Sequence, residues 1–467
     1  MDKTKSIRSN TAQASVKSRK QVLKGSMSVW ELILIGIGGI IGAGYFLGSG
    51  SPIRTAGPSV LLAFVIGGLI TMQAVGALNS LSFDHPSEGA FKTYADMYLG
   101  RFMGYMQGWT FYLMSILTIS SEAVASAIFV KVWLPHIPLW IMSSSFAALV
   151  ILINAFGVKN FSTVESFMSV IKIAALFGFI VVASIAIFGG QSHEGTTQAL
   201  DALHNTGFFP HGFSGLAQSM LIVVFAYAGI GVFATAAVHL KHPKYLDIGG
   251  LVTVGTLTGL YLLSIAGLLL LLPWNEVNVQ TSPFVQALQH VHLNVLADCL
   301  NAVILIASFS VMAGSVFSAN QILKSLGDNG EAPRFTIKKS PNNPIPYGAL
   351  ITTTIGLAVF ISMSYVLPSS IYNLLISSSS FFTFFNYFII LLTFLAWRRQ
   401  YKDKTISLLA FGQPLSTWLT MGIILFLTVF ALFQKEQRLG FYACLVMGGL
   451  IIIGYFFSPK RKATRSS

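Results

Sequence analysis

The sequence predicts an all-α protein that crosses a membrane many times, and three observations carry that prediction. Of its 467 residues, 54% are hydrophobic and only 10% are charged, where soluble domains carry about a quarter. Mean hydropathy is +0.71. Twelve apolar runs, each near the roughly 20 residues a bilayer-spanning helix needs, follow one another between residues 29 and 458.

Residues 1–28 hold Lys, Arg, Ser, Thr and Gln with few apolar anchors, which predicts a disordered arm. A removable signal peptide is not expected, because no short basic region leads into an apolar stretch with a small-residue cleavage site. Spans are predicted near 29–50, 57–83, 102–130, 138–157, 163–189 and 213–238. Six more are predicted near 247–272, 296–326, 347–367, 370–397, 414–434 and 440–458. The third and eighth are long enough to tilt or to run past the bilayer. The flanks, 1–28 and 459–467, are too short for a further domain of ordinary size.

Charge orients this arrangement. If the spans alternate, 24 of the 29 Lys and Arg residues fall on the side of the termini, including seven in the arm, Lys241, Lys244, Arg398 and Arg399. Four fall on the other side: Arg54, Lys131, Lys435 and Arg438. Basic residues hold cytoplasmic loops in place, so both termini are expected in the cytoplasm, and the net charge of +13 needs no nucleic-acid partner. The remaining basic residue, Lys172, lies within the fifth span.

The first span contains Gly36-Ile-Gly-Gly-Ile-Ile-Gly-Ala-Gly-Tyr-Phe-Leu-Gly-Ser-Gly50. Each glycine costs about 1 kcal/mol of helix propensity relative to alanine, so a break is expected over Ile40–Gly44. Backbone groups freed in hydrocarbon need protein, water or a polar ligand. The freed donors would stand at the start of a half-helix, which favours an anion such as a carboxylate. Close packing of small residues against a neighbouring helix is the alternative reading. The sixth span repeats this character in Phe225-Ala-Tyr-Ala-Gly-Ile-Gly-Val-Phe233. Two glycine-interrupted spans, five helices apart and opposite in direction, point to an inverted repeat with a site at mid-depth.

In these stretches the sequence resembles the amino acid–polyamine–organocation superfamily, nearest to the bacterial amino acid permeases. Supporting stretches are Pro86-Ser-Glu-Gly-Ala-Phe91, Gly108-Trp-Thr-Phe-Tyr112, Ser120-Ser-Glu-Ala-Val124 and Asn154-Ala-Phe-Gly-Val-Lys159. Ile171-Lys-Ile-Ala-Ala175, Ser318-Ala-Asn-Gln-Ile-Leu323 and Gly330-Glu-Ala-Pro333 complete the match. The resemblance implies a five-plus-five inverted repeat over 29–397, with discontinuous first and sixth helices, and two additional helices over 398–458. It implies that the N–H groups of Gly42, Ala43 and Gly44 meet the α-carboxylate of an amino acid. The carbonyls of Ile40, Phe225 and Ala228 would meet its α-ammonium, with Gly229 at the second break and the Phe225 ring as a cover. For Phe225, one of 37 phenylalanines, packing is the alternative.

Three positions depart from the family pattern. Gly231, Asn79-Ser80 and His239 stand where members often carry acids. Their absence argues against arginine, lysine or a polyamine as substrate, since a buried cation wants a countercharge. A neutral, aliphatic amino acid is expected instead, in space left by the glycines and Ala228.

Lys172 lies about nine residues inside its span, roughly 13 Å deep, too deep to snorkel easily. It reads as a structural cation tethering the first helix near the eighth, or as a proton carrier. Glu122, within the third span, reads as a gating or structural carboxylate. Ser115 and Ile119, one turn apart, are candidates for the side-chain pocket. His211 and His239 read as boundary residues, Ser377-Ser-Ser-Ser380 as small-residue packing. The nine histidines give no metal set, and no cofactor is expected. With no Gly-x-x-x-x-Gly-Lys-Ser/Thr loop and no nucleophile beside a base at membrane depth, neither a primary pump nor an enzyme is indicated. The expected function is secondary active import of an amino acid across the cell membrane, coupled to protons, by alternating access. An exchanger, a cationic amino acid permease and a nutrient sensor that does not transport are the alternatives.

Overall fold

The computed structural model describes residues 27–87, 89–155, 161–189, 193–340, 343–368 and 370–458. The basic arm up to residue 26, Lys159 and the tail from residue 459 lie outside the described residues.

Chain entry into the first helix is fixed locally. Ser28 caps α1 (Val29–Ile40): its hydroxyl accepts from Glu31 N at 3.2 Å, and the Glu31 carboxylate accepts from Ser28 N at 2.7 Å. This reciprocal box satisfies two donors that a helix start leaves open. The helix then stops where the glycines predict. Gly42 is extended (φ −149°, ψ −160°), and helix resumes as α2 (Ala43–Phe46) and α3 (Gly50–Ala56). Next come α4 (Val60–Asp84), α5 (Ala90–Leu99), α6 (Arg101–Lys131), α7 (Leu139–Ala155), α8 (Phe161–Phe188) and α9 (His193–Thr206).

The second interruption separates α10 (Gly212–Phe225) from α11 (Ile230–Ala237). The gap covers Ala226–Gly229, and Gly231 lies in the first turn of α11. The remainder runs α12 (Leu246–Leu271), α13 (Pro283–His290), α14 (Asn294–Asp328), α15 (Tyr347–Val366), α16 (Ile371–Gln400), α17 (Leu415–Ala431) and α18 (Lys435–Phe457). One departure from a purely helical chain is a short antiparallel hairpin, β1 (Lys339–Ser340) with β2 (Asn343–Pro346). Helices α5, α9 and α13 were not expected either; they lie between the predicted spans.

Among the described residues, nine helical segments are long and apolar enough to cross a membrane, accompanied by three shorter apolar helices, Val29–Ile40, Leu139–Ala155 and Leu415–Ala431. Burial sorts them. The apolar window of Gly212–Ala237 is 89% buried, that of Gln437–Phe457 only 17%. The broken helices therefore form the centre, while α8, α15 and α18 turn large apolar side chains such as Phe177, Val359 and Phe456 outward. An exterior this apolar suits lipid, not water. Around the centre, α6 packs along both α14 and α16, and α8 packs along α1, α12 and α14.

Candidate site at the junction of the broken helices

Interrupted helices leave backbone groups to satisfy, and the neighbouring side chains do so. The Glu122 carboxylate accepts from Ala43 N at 2.9 Å and from Gly44 N at 3.2 Å. Tyr372 O–H donates to the Ala43 carbonyl at 3.1 Å. At the other break, Tyr261 O–H donates to the Ala226 carbonyl at 3.1 Å. Tyr261 also stacks on Tyr45, ring centroids 3.8 Å apart and planes 11° from parallel. The two breaks thus share one buried aromatic brace.

They also touch directly. A Cβ added to Gly229 would lie 2.0 Å from the Gly39 carbonyl oxygen, and one added to Gly44 would lie 2.8 Å from the Phe225 ring. Backbone meets backbone here because no side chain stands between. Beside the contact lies a narrow cavity of about 30 Å³.

Ile40, Gly44, Phe225, Ala228, Gly229, Ser115 and Glu122 line that cavity. Gly42 and Ala43 sit just behind it, the Ala43 amide spent on Glu122. Ile119 does not reach it; it is fully buried elsewhere. The cavity face of α6 runs through Phe111, Ser115, Thr118 and Glu122, and at 3.6 residues per turn Ile119 stands about 40° beyond Ser115, on the side away from the other three. The Phe225 carbonyl, expected to face a cation, accepts from Ala228 N at 2.8 Å. Nor do all the glycines leave room: a Cβ on Gly231 would lie 2.3 Å from the Phe111 ring, which fills that space.

The single-residue reading of the sequence missed Phe111 and Thr118 on α6 and Val311, Ser315 and Ser318 on α14. Their three- and four-residue spacing was the available signal. Ser318 is 2% exposed, and its hydroxyl has no hydrogen-bond partner among the described residues.

Lys172 does not line the cavity. Its buried ammonium donates to the Gly38 carbonyl at 2.5 Å and to Ser310 Oγ at 2.8 Å, joining α8 to α1 and α14. Ser310 in turn donates to Glu165 at 2.6 Å. Glu165 is 1% exposed and was also missed. Seven residues before Lys172, it lies two turns away on the same helix face.

The chain matches the amino acid permease family over residues 31–466. It is 34% identical to the uncharacterized transporter YcgH of Bacillus subtilis (strain 168), over 94% of this chain and 95% of that one. Identity to the L-asparagine permease of Escherichia coli (strain K12) is 30%, covering 93% of this chain and 88% of the permease. Identity to the gamma-aminobutyric acid permease of Bacillus subtilis (strain 168) is 28%, covering 95% and 96%.

Proposed function

The chain belongs to the amino acid permease family, a family of membrane transporters and not enzymes, and on that footing we propose that it imports a neutral amino acid by proton-coupled alternating access. The α-carboxylate binds the N–H groups at Gly42–Gly44, the α-ammonium faces the carbonyls of Ile40 and Ala228, and the Phe225 ring covers the pair. One observation carries this reading. A carboxylate, that of Glu122, is seated on the Ala43 and Gly44 amides, so those donors suit the group every amino acid presents. Substrate would take that seat and displace Glu122.

Twelve crossings fit the helices described, the first and sixth each in two pieces. Ten make an inverted-repeat core over 29–397, and the two crossings within 398–458 are additional. The excess of basic residues on one side supports both termini lying in the cytoplasm of a cell-membrane protein. A neutral substrate is the reading because, among the described residues, Glu122 is the one acid lining the cavity, and once displaced from the amides it supplies a single countercharge, which the α-ammonium itself uses. A cationic side chain would find no second acid there.

An aliphatic side chain suits the walls made by Phe111, Met114, Val232 and Val311. A second reading has its own support: the unpartnered Ser318 hydroxyl, with Ser315 one turn earlier, also lines the cavity. A buried hydroxyl without a partner is costly, and a small substrate bearing a hydroxyl or amide would satisfy it. Uptake of each of the twenty amino acids into proteoliposomes, with and without an inward proton gradient, tests the proposal. Gradient-driven accumulation of a neutral amino acid is expected. Selective arginine uptake would refute it, and the ratio of serine or threonine to leucine decides between the two side-chain readings.

A further inference from the structure

We propose that Glu165 is the proton's port on Lys172: the carboxylate that receives the proton from the buried amine, through Ser310, and passes it to the cytoplasmic side. The inference rests on the proton-coupled reading above and deepens it. Lys172 donates to Ser310 Oγ at 2.8 Å, and the same hydroxyl donates to Glu165 Oε1 at 2.6 Å. All three side chains are buried. The hydrogen bonds already point one way, from ammonium to carboxylate.

A single concerted shift along them balances. An N–H bond breaks at Lys172 as an O–H bond forms on Ser310. The original Ser310 O–H bond breaks as an O–H bond forms on Glu165. An ammonium and a carboxylate become an amine and a carboxylic acid, with the hydroxyl restored. Two buried charges vanish together, which avoids leaving either ion unpaired in low dielectric.

Position supplies the exit. Glu165 lies four residues from the start of α8 at Phe161, about 6 Å along the helix, whereas Lys172 lies about 16 Å along it. In the proposed orientation that helix start faces the cytoplasm. The same cluster grips the first helix. Lys172 holds the Gly38 carbonyl, four residues before the extended Gly42. A Cβ on Gly38 would lie 2.0 Å from Ser169 Oγ and 2.6 Å from Glu165 Oε1. Moving the proton therefore loosens the contact that fixes α1 just below its break.

Other charges stand aside. The groups acting on Lys172 are Glu165 and, from α6, Glu122; the group acting on Glu165 is Lys172. On the helices packed against α8, Glu31 is engaged in the α1 cap, and Asp247 of α12 is held by Asn79 and Ser407. On α14, Asp298 is twelve residues from Ser310, about 18 Å, and the Lys324–Asp328 pair lies about 21 Å or more the other way.

The test separates proton-driven accumulation from exchange. In proteoliposomes, the best-transported of the twenty radiolabelled amino acids is followed in two modes. One is accumulation under an inward proton gradient, with pyranine reporting proton entry. The other is counterflow at equal pH, in which the carrier returns loaded and need not release its proton. Glu165→Gln and Ser310→Ala should each lower accumulation and proton entry by about tenfold or more while counterflow falls far less; Glu165→Asp should restore part of the loss. Unchanged accumulation in both variants would overturn the port. So would equal loss of both modes in Glu165→Gln with Ser310→Ala normal, which would make Glu165 a structural prop. Wild-type uptake indifferent to the gradient would overturn the coupling reading itself, and the port with it.

Discussion

Gly229 shows how tightly the centre depends on single atoms. The oxygen of Gly39 occupies the place a side chain would need, 2.0 Å from an added Cβ, with Ile40 Cα at 2.8 Å. Both obstacles are backbone, so neither can swing aside. Gly229→Ala should destabilise by about 1–3 kcal/mol through overpacking and should abolish most uptake by prising the breaks apart. Gly255, within α12, has no described atom within 4 Å of an added Cβ, and Gly255→Ala should leave uptake unchanged and raise stability by up to about 1 kcal/mol. Thermal midpoints in detergent and uptake in proteoliposomes check the pair; equal behaviour of the two variants would contradict the close approach. The glycine run made the first break legible, because low helix propensity is a local property. Its partners were not legible. That Glu122 would sit on the Ala43 and Gly44 amides, 79 and 78 residues away in sequence, or that Phe111 would fill the space beside Gly231, depends on how helices pack, and no spacing rule within one segment reports it.

The helices themselves divide by how their signal arises. Spanning segments announce themselves by twenty apolar residues in a row, and α6, α14 and α16 fall close to their predicted bounds. The short helices α5, α9 and α13 carry no such run and went unseen. One of them holds a buried ion pair. Lys92 of α5 meets Glu331, just past α14, at 2.8 Å, both side chains fully buried, and Arg101 stands 3.6 Å from the same carboxylate. The pair ties the connection before α6 to the connection after α14. Removing Lys92 leaves the buried Glu331 carboxylate with Arg101 alone, 3.6 Å away, so Lys92→Met should cost about 3 kcal/mol, the low end for a broken buried pair. The double variant Lys92→Met/Glu331→Leu should recover much of that loss, because the one charge that then loses its carboxylate, Arg101, is partly exposed. Denaturation midpoints of the wild type, both single variants and the double variant complete the cycle; additive losses would show that the pair is not coupled.

Taken together, the helices place the least interrupted apolar surface outside and the most interrupted backbone inside. That inversion of the usual soluble pattern was readable from composition, since a chain only 10% charged cannot clothe itself for water. The charge asymmetry gave the proposed orientation, and the paired breaks gave the proposed repeat. The identity of the cargo was less legible, because the backbone contacts proposed for it are common to all amino acids. What the molecule is proposed to do follows from one exchange of carboxylates at the Ala43 and Gly44 amides. The most direct measurement is an experimental structure with a saturating concentration of the best-transported amino acid. Its α-carboxylate should lie within hydrogen-bond distance of the Gly42–Gly44 amides, with the Glu122 carboxylate withdrawn from them. An amino acid bound elsewhere, with Glu122 still seated on Ala43 and Gly44, would contradict it.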